Sequence, residues 1–430
     1  MAFDQDELNK RREARTRERQ FMARQRLLMK IGLIVTGVTL ICCAAALLIA
    51  SGILNSKKPS DKPSLQAPTT QPPVQTTPPP TVPDTVIHFV AGGDLNVTDK
   101  VVSSGTAISG FDFTSTFLDV APVLAGGDLT ALNLEGSLYG EPYGSRNHSA
   151  PIQMMQALQA AGVDLIQTAN SYAVVNGISG LKQTISGIQS SGMTPVGTFT
   201  DSGEFRRSGG YVIRNVQGIK IAIVGFTKGM DGMGLPDGSE DCVNLLYTDY
   251  NSAYQKVDTA GIKAVLRAAQ SQSPDITIAL LHWGSEYNDQ ISKTQDKITE
   301  LMLAEGVDAI IGTHSHYVQK VVHDPQKGTL IAYSLGDFFG DGEKAGTNYS
   351  ILLDVEITKS GTTGKASVTG FSYTPVYIAD ETAAGKGLRL LRIREAIAAY
   401  ESNSLVKVSD EAYRGMVAAL ERIESRVNGS

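Results

Sequence analysis

Four apolar segments that are typical of buried β-strands end in side chains that bind metal ions. These side chains are Asp94, Asn133 with Glu135, His282, and the pair His314 and His316. In open α/β sheets the carboxyl ends of the strands meet at one crevice, so we expect the side chains to converge there. Divalent ions bind carboxylate oxygens and neutral imidazoles in such clusters. Two ions a few ångströms apart orient a phosphoryl group and generate a hydroxide nucleophile.

Each motif alone also has a purely structural interpretation. A Gly-Asp pair after a strand is usually a turn or a helix cap, and Asn-Leu-Glu can cap the next element. A single His after an apolar run is more often a hydrogen-bonded core residue. A His-x-His pair is more indicative, because alternate side chains can share one metal ion. Three of the six His residues lie at such strand ends, which favours a metal cluster.

The elements that must position these residues are strands and amphipathic helices that alternate from about Thr85 onward. The predicted strands span 86–91, 129–134, 163–168, 220–226, 276–282, 309–313 and 330–335, and the predicted helices span 151–161, 178–190, 260–270 and 294–305. Short β-branched runs between helices predict buried, parallel sheet. Further on, 349–357 and 365–373 are predicted to form an antiparallel pair, and the chain from Gly387 onward is predicted to be helical.

An uncharged apolar run occupies residues 31–54. At a rise of about 1.5 Å per residue it spans roughly 36 Å, enough to cross a bilayer. A cleaved signal peptide has a shorter apolar region and a shorter basic start. Nine Lys and Arg residues lie within 1–30, so the positive-inside rule places that tail in the cytoplasm. The sequence predicts a single-pass anchor in the cell membrane, with the rest of the chain outside the cytoplasm.

Composition separates the remainder of the chain into a spacer and an acidic globular part. Residues 55–83 hold nine of the 17 prolines, which predicts an extended linker over 55–84. The tail at 1–30 carries nine basic and five acidic residues, or +4, so a total of −6 leaves −10 for everything after it. This charge gives no support for nucleic-acid binding. Cys242 has no evident partner, so no disulfide framework is expected.

The ordered motifs resemble the CapA family of capsule and poly-γ-glutamate synthesis proteins. They are Gly93-Asp94, Asn133-Leu134-Glu135, Ala169-Asn170, Val196-Gly197, His282-Trp283-Gly284-Ser285-Glu286-Tyr287, Gly312-Thr313-His314-Ser315-His316 and Tyr333-Ser334-Leu335-Gly336-Asp337-Phe338. That family is similar to the calcineurin-like metallophosphatases. The resemblance implies a four-layer α/β/β/α sandwich over 85–380, followed by a helical segment at 381–430. It also implies that Asp94, Glu135, His282, His314 and His316 are metal ligands.

The chain departs from the family pattern at two places. The family usually shows Ala-Asn-Asn-His where this chain has Asn170, Ser171 and Tyr172 after Ala169. By analogy, the second Asn would bind metal and the His would be the general acid. Ser is a poor neutral ligand, and Tyr titrates near pH 10, far from a neutral-pH acid. The last motif has Asp337 where Asn is usual, and we hypothesise that this carboxylate joins the cluster.

Three further residues lie near these motifs. His148 occupies a Gly/Tyr-rich loop close to Glu135, where it either contacts substrate or is solvated, and solvation is the expected state. Glu286 and Tyr287 extend the His282 motif, and we expect them to orient its imidazole.

Two function classes follow from these observations. The first is a metal-dependent hydrolase or transferase at the cell surface that acts on a phosphoester or a peptide-like polymer bond. It would use one or two divalent ions, with Mn, Zn, Fe and Mg not distinguished, and would position substrate or water with Asn133, Asn170 and Tyr172. The second is a non-catalytic, membrane-tethered component of a synthase or export complex that binds an anionic envelope polymer. A site that has lost all function is the third and weakest interpretation.

Overall fold

The computed structural model of the chain describes residues 82–382, 385, 387–403 and 408–429. The predicted membrane anchor at 31–54 and nearly all of the predicted linker lie outside these residues. Within them, no helix combines the length and the apolar character that crossing a membrane requires.

The first of two sheets contains eight strands. They are β1 (Thr85–Asn96), β2 (Leu129–Glu135), β3 (Leu165–Gln167), β4 (Thr194–Val196), β11 (Asp337–Phe339), β12 (Tyr349–Lys359), β13 (Ala366–Asp380) and β14 (Leu388–Arg392). Their order is β14-β13-β12-β1-β2-β3-β4, with β11 beside β1. Strands β1 to β4 run parallel, whereas β12, β13 and β14 pair antiparallel. The predicted antiparallel pair at 349–357 and 365–373 is therefore confirmed.

The second sheet contains six strands. They are β5 (Val212–Val216), β6 (Ile219–Thr227), β7 (Ile276–His282), β8 (Ala309–Thr313), β9 (Val321–Asp324) and β10 (Thr329–Ala332), in the order β5-β6-β7-β8-β10-β9. The four central strands are parallel, and the edge strands β5 and β9 are antiparallel to their neighbours. Among the strands that alternate with helices, the expectation of parallel pairing holds for β1 to β4 and for β6, β7, β8 and β10. It fails for the edge strands β5 and β9 of the second sheet.

One hydrophobic core lies between the two sheets. Strand β1 contributes Ile87 and Phe89 to it, and the second sheet contributes Ile223 and Leu280. The alternate residues of the same strands face outward, because side chains along a strand point to opposite faces in turn. Val90 and Val224, for example, belong to the cores on the outer faces of their sheets. Burial on both faces explains why these strands are continuous apolar runs.

Helices cover the outer faces of both sheets. The helices are α1 (Asp99–Ser104), α2 (Thr114–Phe117), α3 (Ala121–Leu124), α4 (Ile152–Ala160), α5 (Gly177–Ser190), α6 (Ser202–Ser208), α7 (Thr259–Gln270), α8 (Lys293–Ala304), α9 (Ile393–Glu401) and α10 (Asp410–Asn428). Met154 and Leu158 of α4 pack on the first sheet, and Leu266 of α7 and Met302 of α8 pack on the second. The α/β class and its layering of helix, sheet, sheet and helix agree with the prediction.

The C-terminal region differs from its helical prediction. Leu388–Arg392 is a strand at the edge of the first sheet, where it pairs with Val376 to Asp380 of β13. Helix begins only at Ile393, and α10 then packs Met416 and Ile423 against the core between the sheets. Five residues are too few for hydrophobic periodicity to distinguish a strand from a helical turn. The segment forms a strand because the edge of β13 offers backbone groups for pairing.

Candidate metal centre

The candidate site lies where the carboxyl ends of the central strands of both sheets meet. Asp94 and Glu135 come from the ends of β1 and β2, and His282 is the last residue of β7. His314 and His316 follow β8 directly. Parallel strands bring their carboxyl ends to one edge, which is the reason that residues far apart in the chain share a site.

These five side chains contact one another directly. His282 Nδ1 lies 3.5 Å from Asp94 Oδ1, and His282 Nε2 lies 3.3 Å from Glu135 Oε1. His316 Nε2 lies 3.6 Å from Glu135 Oε2, and His314 Nδ1 lies 3.9 Å from Glu135 Oε1. The convergence predicted from the strand ends is confirmed by these distances.

The side chains form two three-residue groups that share Glu135. One group is Glu135, His282 and His314, and the other is Asp94, Glu135 and His316. Within each group the potential ligand atoms lie within 4.8 Å of one another, close enough to hold one cation. All five side chains are buried. A shared carboxylate between two triads is an arrangement that suits two neighbouring divalent ions.

The donor atoms fit a metal ion by a second criterion, which is their lack of other partners. Glu135 Oε2, His314 Nε2 and Asn133 Oδ1 are buried without a hydrogen-bond partner among the described residues. Buried polar atoms are nearly always hydrogen-bonded, so three unpaired atoms in one cluster need an explanation. A bound cation would satisfy both Glu135 Oε2 and His314 Nε2.

The backbone around the two His residues is strained. His314 and His316 have φ angles of 86° and 59°, in the left-handed region that non-glycine residues seldom adopt. The amide of His314 donates to Asp94 Oδ2 at 2.8 Å, which helps to hold this conformation. Strain of this kind concentrates at functional sites, where the surrounding structure enforces it.

His316 has one partner that the sequence placed in the cluster and one that it assigned to His282. Its Nδ1 lies 2.7 Å from Asp337 Oδ1, and the ring of Tyr287 stacks on it with a centroid separation of 5.1 Å. Asp337 therefore lies in the cluster and contacts one of its imidazoles, although neither triad includes it. Ligation of a metal ion by this carboxylate stays a prediction. The expectation that Tyr287 orients His282 is wrong, because Tyr287 lies on His316.

His282 is held by residues that the motif reading overlooked. Its Nδ1 lies 3.0 Å from Thr313 Oγ1 and 3.3 Å from Asn133 Nδ2. Its Nε2 lies 3.0 Å from Ser171 Oγ, which is also 3.4 Å from His314 Nδ1. Thr313 could have been noticed as the residue that precedes His314 at the end of β8. Ser171, read as a poor ligand, contacts both imidazoles of one triad.

Three imidazoles are buried against carboxylates in this cluster, and the pKa of each depends on the balance between burial and the neighbouring charges. Burial lowers the pKa of His316, but the charges of Asp337, Glu135 and Asp94 outweigh it and raise the pKa well above its usual value. Burial also lowers the pKa of His282, but hydrogen bonds to Asp94 and Glu135 outweigh this effect and raise the pKa. At His314, burial and the charge of His282 lower the pKa to about 3. The carboxylates around the three imidazoles therefore favour the binding of a cation.

Comparison with known proteins places these residues in a family. The model of the bacterial capsule synthesis protein family PGA_cap matches residues 88–341, more than half of the chain. The chain belongs to this family. The match spans both triads, from Asp94 to His316, as well as Asp337.

Two named relatives and one solved structure are similar to this PGA_cap chain. The PGA biosynthesis protein CapA of Bacillus subtilis is 26% identical over 71% of this chain and 75% of its own length. The capsule biosynthesis protein CapA of Bacillus anthracis is 26% identical over 57% of this chain and 58% of its own length. A novel phosphatase from Mycoplasma pneumoniae has 15% identity and a TM-score of 0.41, over 70% of this chain and 97% of its own.

The segment that departs from the usual family motif lies against the cluster. Asn170 Nδ2 donates to the carbonyl oxygens of Leu134 and Thr168, and its Oδ1 accepts from the amide of Tyr172. These bonds hold the loop at Asn170 in place, and the predicted role of Asn170 in positioning substrate stays a prediction. Burial raises the pKa of Tyr172 well above its usual value, so the phenol stays protonated.

The predicted solvation of His148 is only partly correct. Its ring is half-buried and stacks on Tyr172 at a centroid separation of 3.5 Å with 9° between the planes. Its Nδ1 is buried without a hydrogen-bond partner in the part of the chain that the structure describes.

Proposed function

We propose that this chain is a metal-dependent hydrolase that acts in the synthesis or export of a capsule or poly-γ-glutamate polymer. The observation that carries the proposal is the pair of buried triads that share Glu135. Membership of the capsule synthesis family supports the polymer, and the unpaired donor atoms support the metal.

Each residue of the site has a part in this function. Asp94, Glu135 and His316 would hold one divalent ion, and Glu135, His282 and His314 would hold a second. Such ions supply Lewis acidity toward a phosphoryl or carbonyl oxygen. Thr313 and Asn133 fix the ring of His282. Asp337 fixes that of His316, so the imidazoles are oriented before any substrate arrives.

Cationic side chains near the cluster suit an anionic substrate. The ammonium group of Lys344 lies 3.2 Å from the ring centroid of Tyr287, which in turn stacks on His316. Lys228 is half-buried, donates to the carbonyl oxygen of Gly284 at 2.9 Å, and acts electrostatically on His314. We propose that the substrate is a chain of carboxylates or a phosphoester. The names of the two relatives, which refer to PGA and capsule biosynthesis, support the polymer.

We also propose that the site faces the outside of the cell. The apolar run at 31–54 would anchor the chain in the membrane with the basic tail at 1–30 in the cytoplasm. There the domain could act within a membrane synthase or export complex. Protease added to intact protoplasts should remove the domain while sparing an epitope at the N-terminus, and protection of the domain would contradict this orientation.

A second candidate function is binding of the polymer without turnover. The observation that favours it is Tyr172, whose raised pKa makes the phenol a poor proton donor at neutral pH. Both candidates require the metal centre, and they differ in whether a bond is cleaved.

The test uses the full-length chain purified in detergent. Bound metal is measured by mass spectrometry, and turnover is measured with a phosphodiester and with poly-γ-glutamate. Glu135→Gln should lose both metal and turnover, whereas His88→Gln, at a partly exposed His that pairs with Asp354, should keep both. Metal with polymer binding but no turnover would support the second candidate. A wild-type chain that binds no divalent ion would overturn both.

A further inference from the structure

The loop that carries His148 is held firmly beside the metal centre. The loop closes on itself through bridges of Ser149 to Ser137 and to Gly144. Asn176 ties it to the segment after β3, since its Nδ2 donates to Asn147 O at 2.8 Å and to Ser137 Oγ at 2.9 Å. The loop therefore presents its side chains to the Tyr172 segment in a fixed position.

His148 is set in this loop in an uncommon conformation. Its φ angle is 43°, and its carbonyl oxygen accepts from the amide of Ser137 at 2.6 Å. The ring lies flat on that of Tyr172, which fixes its plane. Nδ1 is buried without a hydrogen-bond partner among the described residues, so no hydrogen bond at this nitrogen ties up the oriented imidazole.

This imidazole lies close to the triads without belonging to them. Tyr172 directly follows Ser171, whose hydroxyl contacts His282 and His314. The negative charges of Glu135 and Asp231 both act on His148. The carbonyl oxygen of His148 is bonded to the amide of Ser137, two residues after Glu135, and neither triad found among the described residues includes His148.

Hydrolysis of an ester needs a proton for the leaving oxygen, and few groups near the cluster can supply it at neutral pH. The phenol of Tyr172 has a pKa raised by burial, and the ammonium of Lys228 already donates to a backbone carbonyl. Burial lowers the pKa of His148 from its usual value, and the negative charges of Glu135 and Asp231 oppose this change. Imidazole is the side chain best suited to give and regain a proton in this range.

We propose that His148 is a catalytic residue that donates a proton to the leaving group, with Tyr172 as the platform that orients its ring. This inference rests on the proposed hydrolase function. In the step, the oxygen of water bonds to phosphorus while the bond from phosphorus to the leaving oxygen breaks. The electron pair of that bond stays on the leaving oxygen, which takes the proton from the protonated imidazole of His148. Water releases one proton to solvent and His148 regains one, so the sum is hydrolysis.

The test compares two phosphodiesters on the full-length, metal-loaded chain, one with an alkyl leaving group and one with a dinitrophenyl leaving group. Only the alkoxide needs a proton as it departs. His148→Phe keeps an aromatic ring for the stack on Tyr172 and removes the nitrogens. It should lower kcat for the alkyl ester by about 10²- to 10⁴-fold. The same variant should leave kcat for the dinitrophenyl ester nearly unchanged. In the wild type, kcat for the alkyl ester should fall at high pH, and this fall should be absent in His148→Phe.

Controls separate this inference from the function on which it rests. The His148→Phe chain should bind as much metal as the wild type. The variant His323→Gln changes a His outside the cluster, and its kcat with both esters should equal that of the wild type. Equal losses with both esters would overturn the role of His148 as a proton donor. The role would also be overturned if Tyr172→Phe, and not His148→Phe, lost kcat with the alkyl ester while keeping kcat with the dinitrophenyl ester. If the metal-loaded wild-type chain hydrolyses neither ester, the role of His148 in phosphoester hydrolysis is overturned, whereas turnover of poly-γ-glutamate decides separately whether the chain is a hydrolase.

Discussion

Asp337 Oδ1 lies 2.7 Å from His316 Nδ1, and both side chains are buried. This contact occupies one nitrogen of the imidazole and leaves Nε2 near Glu135 Oε2, at 3.6 Å. The pairing of β11 with β1 sets Asp337 opposite Asp94, so the sheet itself delivers the carboxylate to this place. A carboxylate that holds the second nitrogen of a His fixes the ring and raises the basicity of the other nitrogen.

Removal of the Asp337 charge should weaken metal binding. We expect Asp337→Asn to raise the Kd for Mn²⁺ by about 10- to 100-fold, because the amide orients the His316 ring but does not polarise it. Asp337→Ala should have a larger effect. Isothermal titration of the chelator-treated chain measures the change.

The matched control for this change is a second Asp–His pair in the same sheet. Asp354 Oδ1 lies 3.0 Å from His88 Nδ1, and both side chains are partly exposed. Asp354→Asn removes the same charge from the same kind of pair and should leave the Kd unchanged. An unchanged Kd in Asp337→Ala would disprove any contribution of Asp337 to the centre.

Metal binding should release protons and tighten as the pH rises. The pKa values of His282 and His316 are raised, which favours the protonated form of both rings, and each ring must lose that added proton to bind a cation. The ring of His314 has a pKa of about 3, so it is already neutral and releases no added proton when a cation binds. Between pH 6 and 8 the Kd for Mn²⁺ should fall, by roughly tenfold per pH unit for each proton displaced. Titrations in two buffers of different ionisation enthalpy count the protons, and a Kd independent of pH would contradict the raised values.

The sequence predicted the framework of the site better than its details. Strands such as Ile276–His282 and Ala309–Thr313 were predicted with their observed bounds, because burial on both faces gives short, uninterrupted apolar runs. The partners of the imidazoles could not be predicted in the same way. Contacts such as that of Tyr287 with His316 depend on how loops from different strands pack, and a linear motif suggested His282 instead. Ligation by these residues remains a prediction.

Gly93→Ala should destabilise the chain and disturb the centre. A Cβ at position 93 would lie 1.7 Å from the carbonyl oxygen of Gly336, so β1 and β11 would have to separate. That carbonyl accepts from the amide of Asp94 at 3.1 Å, and the separation would move Asp94 and Asp337 apart. We expect the free energy of unfolding to fall by about 1–3 kcal/mol or more. Denaturant unfolding and metal content measure the two effects.

A second glycine provides the comparison for this substitution. Gly234 is exposed, and the nearest atom to a Cβ there is 3.7 Å away. Gly234→Ala should therefore change neither the unfolding midpoint nor the bound metal. Equal stability of the two variants would show that the contact of Gly93 with Gly336 does not constrain the strands.

Lys344→Gln should weaken binding of an anionic polymer without affecting the metal. Lys344 is exposed, and its ammonium group lies over the ring of Tyr287, which stacks on His316. An exposed charge pair contributes about 0.2–1 kcal/mol, so KM for the polymer should rise by up to about fivefold while kcat stays unchanged. Salt should reduce this difference, because it screens exposed charges. Lys327→Gln removes another exposed lysine, from the turn between β9 and β10, and the KM of this variant should stay at the wild-type value. If both variants raise KM equally, the effect comes from net charge, and Lys344 has no specific place at the substrate.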